Sequence, residues 1–579
     1  MSLSTVDVAK HHVGARAAQW QYSQNLLFVA HVAVILFLCA LILYPTLILL
    51  DQSVRDDRGN FSLAWYVQAY TSLRNYQAIL NTLLISFGAA GCAVVAGTFL
   101  AWAVVRTDMP GRRVVELASI VPFISTPLIG ALAWILLASP QTGLINQAWR
   151  LLGGGAFLDI YSIWGIIFVE VLYETPLVFL LVAGALRSMA PTLEEASLAS
   201  GAGLFSTTLR ITLPLALPAI LAGALLVFIL AAEQFAVPAV LGTPAKIRVL
   251  TTSIFEAQSV YPARHGLAAA LSVTLLAIAL GGLWLHQRLL GERSFTTVSG
   301  KSAEPRRLAL GALRRPVLGL CLVYLLLAVV LPFTAIFLSS IRTIWTADFR
   351  WEQFTLGNYH TVLFAYPGAQ RAIVNSLFIA VTGATATILL CAFISFLTVR
   401  ARLPGSKLLD ALSMVPMGFP GIVLAVGLLH AWISPPLVLY GTIWILFIAY
   451  MTRYIPIGVR AVSASFAQIH PELEESSLAS GASWFQTFRH VTLPLLKPGM
   501  FAGWALLFVA FTRELSASIL LYSPRLEVLS VVVYDMYQEG SFRALSALAT
   551  VQVLIAIGVL ALAKLFTRLD HSAEAQALR

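Results

Sequence analysis

The sequence predicts an all-α integral membrane protein of about twelve transmembrane helices, in two parallel six-helix repeats with a pseudo-two-fold axis along the membrane normal. Three observations predict it. The first is composition: of 579 residues, 59% are hydrophobic and 11% charged, and mean hydropathy is +0.84, where soluble proteins carry about 25% charged residues. The second is that apolar residues fall in continuous runs of roughly 20, long enough to span a bilayer as helices, without the alternation of a β-barrel. The third is a polar phrase written twice. Residues 193–203 read LEEASLASGAG and residues 473–483 read LEESSLASGAS, each running on to Thr-Leu-Pro at a constant offset of 280 residues.

Taken in order, the candidate spans of the first half lie near 26–50, 78–105, 115–138, 162–186, 213–240 and 264–287. Those of the second lie near 314–340, 372–399, 409–432, 440–462, 495–521 and 544–567. The halves match elsewhere too. YPTLILLDQSVR (44–55) parallels LPFTAIFLSSIR (331–342), Asn75-Tyr76 parallels Asn358-Tyr359, and Asn81-Thr82-Leu83 parallels Asn375-Ser376-Leu377. Pro110-Gly111 parallels Pro404-Gly405, and Val121-Pro122 parallels Val415-Pro416. The drifting offset places insertions in loops, near 362–372 and 139–161. The expected organisation is a first half over 1–287 with a coupling segment at 192–203, a linker over 288–313, and a second half over 314–579 with a coupling segment at 472–483.

Lys and Arg mark cytoplasmic loops. Arg106, Arg112 and Arg113 follow span 2; Arg400, Arg402 and Lys407 follow its counterpart; the linker holds Arg288, Arg293, Lys301, Arg306, Arg307, Arg314 and Arg315. The net charge of +10 is accounted for by these loops, and no nucleic acid is expected. Both polar islands and both termini are expected on that cytoplasmic side. Residues 1–25 are polar and show no cleavable signal peptide. Cys39, Cys92, Cys321 and Cys391 sit in apolar runs without CxxC spacing, which suggests packing residues and no disulfide framework.

Thr192-Leu193-Glu194-Glu195 fits a capping box with Thr192 as N-cap. In the second copy Glu472 takes the cap position, after Pro471. Small residues follow, so a partner can approach the backbone. Gly201 and Gly481 fit a helix end followed by a turn, and Phe205 and Phe485 are candidate anchors. The pattern Glu195-Ala196-Ser197, Gly201, Ile211-Thr212-Leu213-Pro214 resembles the cytoplasmic signature of permease subunits of bacterial ATP-binding-cassette importers. Its second copy is Glu475-Ser476-Ser477, Gly481, Val491-Thr492-Leu493-Pro494, with Ser476 replacing the first Ala. In that family the segment is a coupling helix that docks on the ATPase.

The resemblance implies that Glu194, Glu195, Ala196, Gly201 and Ala202, with Glu474, Glu475, Ser476, Gly481 and Ala482, form two docking elements. It implies two copies of a cytoplasmic ATP-binding subunit and a periplasmic solute-binding protein as partners, in the bilayer of a bacterial inner membrane. The chain has no Walker A sequence; the nearest match, Gly300-Lys301-Ser302, lacks its leading glycine. ATP and Mg are therefore expected on the partner, the chain itself binding no cofactor and carrying no catalytic residues.

Two fused permease halves resemble the ferric-iron permeases, as does the segment 231–252; related permeases carry 2-aminoethylphosphonate, thiamine or polyamines. An ionisable residue at a helix centre costs roughly 2.5–3.5 kcal/mol to insert, which makes Glu233, Gln234, Arg513, Glu514, Glu170 and Glu174 candidates for the translocation pathway or gate. Glu233 and Glu514 correspond at an offset of 281, and Glu170 and Glu174 share a helix face. A purely structural pairing of these groups is the alternative. No His/Cys/Asp cluster has metal-ligand spacing, so no resident metal is expected. A twelve-span secondary transporter shares the parallel halves but has no use for coupling islands.

Overall fold

The computed structural model describes residues 4–190, 192–290, 307–348, 350–401, 403–435 and 437–577, with side chains described at all of these except 4–26, 290, 484, 485 and 566–577. Ten of its helices are long and apolar enough to cross a membrane, and two bent pairs raise the number to twelve. The first half runs α1 (Ser4–Ser53), α2 (Leu73–Arg106), α3 (Arg112–Ile124), α4 (Pro127–Ala138), α5 (Ile163–Ser188), α6 (Thr192–Ala199), α7 (Leu213–Glu233), α8 (Leu250–Ser259) and α9 (His265–Leu290). The second half repeats the series as α10 (Gly311–Ser340), α11 (Pro367–Ala401), α12 (Ser406–Gly418), α13 (Gly421–Ala431), α14 (Ile443–Gln468), α15 (Pro471–Ala479), α16 (Leu493–Thr512), α17 (Leu529–Gln538) and α18 (Phe542–Ala577).

Two pairs of expected spans take a different shape. The runs at 115–138 and 409–432 are each broken, with bends of 100° between α3 and α4 and 107° between α12 and α13. Proline causes both breaks, because it disfavours helix in the residue before it and removes a backbone donor. Pro127 opens α4, where the Thr126 hydroxyl caps the new helix by accepting from Ile129 N at 3.1 Å. Pro420 precedes α13. The runs at 213–240 and 495–521 also stop early, at Glu233 and Thr512, where ionisable residues replace apolar ones.

Each half lends its first long helix to the other. α1 packs on α9 of its own half but also on α13 of the second, and α10 packs on α18 and on α4 of the first. Val34, Leu38, Leu41 and Ile42 of α1 close a cluster with Ile394, Leu397, Leu409 and Ile455 of the second half. Val317, Cys321 and Leu325 of α10 do the same with Ala93, Val104 and Val178 of the first. Gly427 makes the approach of α13 to α1 possible, since a Cβ there would sit 3.0 Å from the Pro45 carbonyl oxygen. Cys321 and Cys391 are buried in these packed regions, whereas Cys92 is exposed and is not a packing residue.

Linker residues 291–306, among them Arg293, Lys301 and Arg306, lie outside the described residues, as does Arg402. Beyond them Leu308 pairs with Thr107 as an isolated parallel bridge, its N–H donating to Arg106 O at 2.8 Å. Asp108 pairs with Arg314, whose hydrogen bonds hold the Asp108 carboxyl below its ordinary pKa. The linker therefore returns across the end of α2.

Candidate functional site

The two polar islands fold alike. α6 and α15 are short helices with acidic first turns, which suits the positive end of a helix dipole. Each ends at a glycine in the left-handed region, Gly201 at φ +84° and Gly481 at φ +90°, as the sequence suggests. Ala202 N then reaches back to Ser197 O at 3.1 Å, and Ala482 N to Ser477 O at 3.2 Å. The Ser197 and Thr207 hydroxyls stand 2.9 Å apart, those of Ser477 and Thr487 3.0 Å. The caps differ from the expected ones: Thr192 is already inside α6, and Pro191 before it lies outside the described residues. In α15, His470 is the N-cap and Glu472 belongs to the first turn.

Glu195, Ala196, Gly201, Glu475, Ser476 and Gly481 are exposed, with Ala202 and Ala482 half-buried at the turns. A Cβ added at either glycine would meet nothing within 4 Å. This is a bare surface on which another protein can lie close to the backbone. Phe205 is 77% exposed beside it; the side chain of Phe485 lies outside the described residues.

Glu194 and Glu474, expected on the docking surface, turn inward instead. Glu194 Oε1 accepts from the Thr212 hydroxyl at 2.6 Å and Oε2 lies 3.3 Å from Arg106 Nη2. Glu474 repeats both contacts, with the Thr492 hydroxyl at 2.7 Å and Arg400 Nε at 3.5 Å. The reason is the arginine at the end of each long helix: a buried guanidinium requires a counter-charge, and the first acid of each island reaches it. One carboxylate thus ties the island to the end of α2 or α11 and to the Thr-Leu-Pro that starts α7 or α16. The first pair is only 2–3% exposed, the second 15–21%.

The candidate pathway residues lie at the other end of α7 and α16. α7 ends at Glu233 with Gln234 as its C-cap, and α16 ends at Thr512 with Arg513 as its C-cap. The two helix ends are one residue out of step with the islands, at an offset of 279, whereas the island offset of 280 carried on through the break sets Glu233 against Arg513 and Gln234 against Glu514. The pairing of Glu233 with Glu514 at 281 is corrected by this register. Two hydrogen bonds fix it: Thr251 donates to Gln234 O at 2.9 Å, and the matching Ser530 donates to Glu514 O at 2.5 Å.

Glu233 and Glu514 nevertheless meet, through a residue from a third helix. Arg453 of α14 lies 3.0 Å from Glu233 Oε1 by Nη2 and 3.5 Å from Glu514 Oε2 by Nε. The Tyr454 hydroxyl donates to Glu514 Oε2, and Ala517 N donates to Oε1 at 2.9 Å. Arg513 donates to the Phe123 carbonyl oxygen at the first-half bend, its guanidinium 5.1 Å from the Phe123 ring centre. Glu174 lies within electrostatic reach of both Arg513 and Glu233. Glu170, one turn away, is fully buried with neither oxygen hydrogen-bonded to protein. The structure thus gathers Glu170, Glu174 and Glu233 of one half with Arg453, Arg513 and Glu514 of the other.

Comparison with known proteins finds one family matched twice along the chain, once in each half. The family described as binding-protein-dependent transport system inner membrane component matches residues 93–291 and 395–571, more than half of the chain. The chain belongs to that family. Each matched region of the permease takes in one island and one central helix break. A putative ferric transport system permease protein of Haemophilus influenzae is 29% identical over 529 residues, covering 90% of this chain and 80% of that one. A ferric transport system permease protein of Actinobacillus pleuropneumoniae is 27% identical over 541 residues, covering 92% and 77%. A putative 2-aminoethylphosphonate transport system permease protein of Salmonella paratyphi A is 32% identical over 238 residues, covering 41% of this permease and 87% of that protein.

Sequence reasoning missed Arg453, and it took Arg106 and Arg400 for loop charges, not as partners of Glu194 and Glu474. The first could have been found: Arg453 sits in the apolar run IWILFIAYMTRYIPIG, where a cation demands a partner. Gly421 was also missed. A Cβ at that position would fall 1.4 Å from Arg453 Nη1, so the glycine opening α13 makes room for the central arginine.

Proposed function

We propose that this permease is the membrane-spanning subunit of an ATP-driven importer, moving ferric iron delivered by a periplasmic binding protein into the cytoplasm. The observation that carries the reading is the duplicated island with its inward acid. Two alike docking elements suit two copies of one ATPase subunit, so a single chain supplies the whole membrane part. The islands, the linker and both termini then face the cytoplasm, in keeping with the Arg and Lys near them.

The route from partner to cargo follows the helices. A force on α6 enters α7 through Glu194 and Thr212. α7 is a rod of 21 residues, about 30 Å long, and it ends at Glu233. α15 and α16 repeat the path from Glu474 and Thr492 to Arg513 and Glu514. Movement of the ATPase subunits is thereby delivered to the Glu233–Arg453–Glu514 bridge, which joins the two halves. Parting the halves separates Arg453 from Glu233 while it stays with Glu514 of its own half, and the Glu233–Arg453 contact serves as the gate. Four carboxylates against two guanidiniums favour a cationic cargo such as ferric iron over an anionic phosphonate.

The test is reconstitution in proteoliposomes with a partner ATPase and a periplasmic binding protein that co-purify with this chain. ATP-dependent uptake of ferric iron, with one copy of this chain per two ATPase subunits, is the expected result. Uptake of 2-aminoethylphosphonate and not iron would reassign the cargo; uptake that needs an ion gradient and no ATP would remove the importer reading. Within the same assay Glu233→Gln should lower uptake about 10-fold with assembly and basal ATP hydrolysis retained.

A further inference from the structure

The membrane face of the first half carries a groove whose counterpart in the second half is crossed by a side chain. It is an apolar hollow of about 480 Å³ between α2, α7 and α9, lined by Gly91, Ala224, Phe228, Gly281 and Leu285 among others. Phe87 and Phe228 pack together in its wall, with ring centres 4.7 Å apart. From Ile278 to Leu285 it follows α9 for about 10 Å.

The second half shows what a closed version looks like. Gly91 corresponds to Thr385, at the offset of 294 that relates Asn81 to Asn375, and Ala224 corresponds to Trp504 at the offset of 280. Trp504 Nε1 donates to Thr385 Oγ1 at 3.0 Å, and the indole stacks on Phe501 with ring centres 5.6 Å apart and planes 9° from parallel. A large side chain pinned across the helices stands where the first half has a glycine and an alanine. The first groove therefore lacks an occupant that the chain itself supplies at the matched position.

The chemistry at the end of the groove says what enters it. Arg288 lies three residues beyond Leu285 and seven beyond Gly281, so it stands on the same face of α9. Its guanidinium is exposed and sits 5.1 Å over the ring of Trp284. A tryptophan and an arginine at a span end mark the depth of lipid headgroups, and basic groups there bind headgroup phosphates. We propose that the groove holds one acyl chain of a phospholipid whose phosphate is bound by Arg288. The site exists once per chain.

The experiment counts phospholipids retained by the purified full chain in mild detergent, using native mass spectrometry. The wild type should keep one phospholipid that the plugged variant Gly91→Thr/Ala224→Trp loses. The opened variant Thr385→Gly/Trp504→Ala should gain one, which keeps the test decisive if the plugged variant assembles poorly. Arg288→Gln should weaken retention of added phosphatidylglycerol about 5–10-fold. Equal phospholipid counts in wild type, plugged and opened forms would overturn the proposal. So would a dimer of the wild type that dissociates on plugging, since that would assign the groove to a second copy of the chain.

Discussion

The two halves of this permease agree closely at one end and disagree at the other. At the islands Glu194, Thr212 and Arg106 are repeated by Glu474, Thr492 and Arg400, with the hydroxyl contacts equal to within 0.1 Å. Across the centre, matched positions exchange charge. Glu233 faces Arg513 in the register, Gln234 faces Glu514, Tyr173 faces Arg453, and Glu174 faces Tyr454. On the function proposed above, the duplicated chain keeps what two copies of one ATPase subunit would touch. It is free to diverge around a single path, where only the sum of both halves matters. The difference extends to the short helices α8 and α17. There Glu256 is flanked by Arg74 and Arg248, while the matched Asp535 has Glu527 where the first half has Arg248.

The comparison breaks most severely if the centre is made symmetric. Replacing Arg453 by Tyr, the residue at the matched first-half position, leaves Glu233 and Glu514 facing each other without a cation. Removing one partner of a buried ion pair costs about 3–5 kcal/mol, so thermal unfolding in detergent should show a loss of that order and uptake should vanish. Stability within error of the wild type would mean that the bridge holds nothing together. Next in size are Gly201→Leu and Gly481→Leu. A side chain there costs about 1–2 kcal/mol of left-handed strain and blocks the docking surface, so coupled uptake should fall in both while membrane insertion stays normal. ATP-driven uptake at the wild-type rate in both variants would sink the docking assignment.

Smaller effects sharpen the comparison. Glu194→Gln and Glu474→Gln keep the threonine contact and lose the ion pair. The first pair is more buried, so Glu194→Gln should raise the ATP hydrolysed per solute imported by more than Glu474→Gln; equal ratios would argue that burial is irrelevant to coupling. The smallest effect concerns pH. The Asp535 carboxyl is pushed up to about 6 by burial and by Glu539 and Glu527, so its charge opposes folding, a penalty that appears as pH rises through about 6 and is absent below about 4. For Glu256 burial acts against the charge, but Arg74 and Arg248 overcome it and hold the carboxyl below its usual range. Its contribution is present above the ordinary carboxylate range and lost in acid. Asp535→Asn should therefore raise Tm by about 2–4 °C at pH 8 and leave it unchanged at pH 4; a gain of the same size at both values would show that charge is not the cause.

Much of this was legible in the sequence, for stated physical reasons. Hydropathy runs gave the helices because each must satisfy its own backbone in lipid. The repeated LEEASLASGAG and LEESSLASGAS gave the islands, and Gly201 and Gly481 gave their turns. The bends were less legible, since Pro127 and Pro420 sit inside runs whose hydropathy never falters. The inward turn of Glu194 was not legible at all. Two adjacent acids look alike in a string, and only the position of Arg106 decides which one is buried. The central register failed by one residue for a similar reason: Glu233-Gln234 and Arg513-Glu514 both contain a glutamate, and only the Thr251 and Ser530 bonds show which positions correspond.

The exchange of α1 and α10 bears on how the chain is made. α1 ends at Ser53, and its partner α13 begins at Gly421. At 5–20 residues per second, synthesis of the intervening chain takes roughly 20–75 s. The face of α1 carrying Leu38 and Ile42 waits in the membrane for a similar time, until Ile394, Leu397, Leu409 and Ile455 are made. So does His31, buried in the finished protein beside Gly405 with no hydrogen bond to either ring nitrogen. α10 meets α4 without such a delay, because α4 is already in place when it emerges, and only its contact with α18 waits for the end of the chain. The nascent chain therefore completes the contact of α10 with α4 before that of α1 with α13, although α1 is made first.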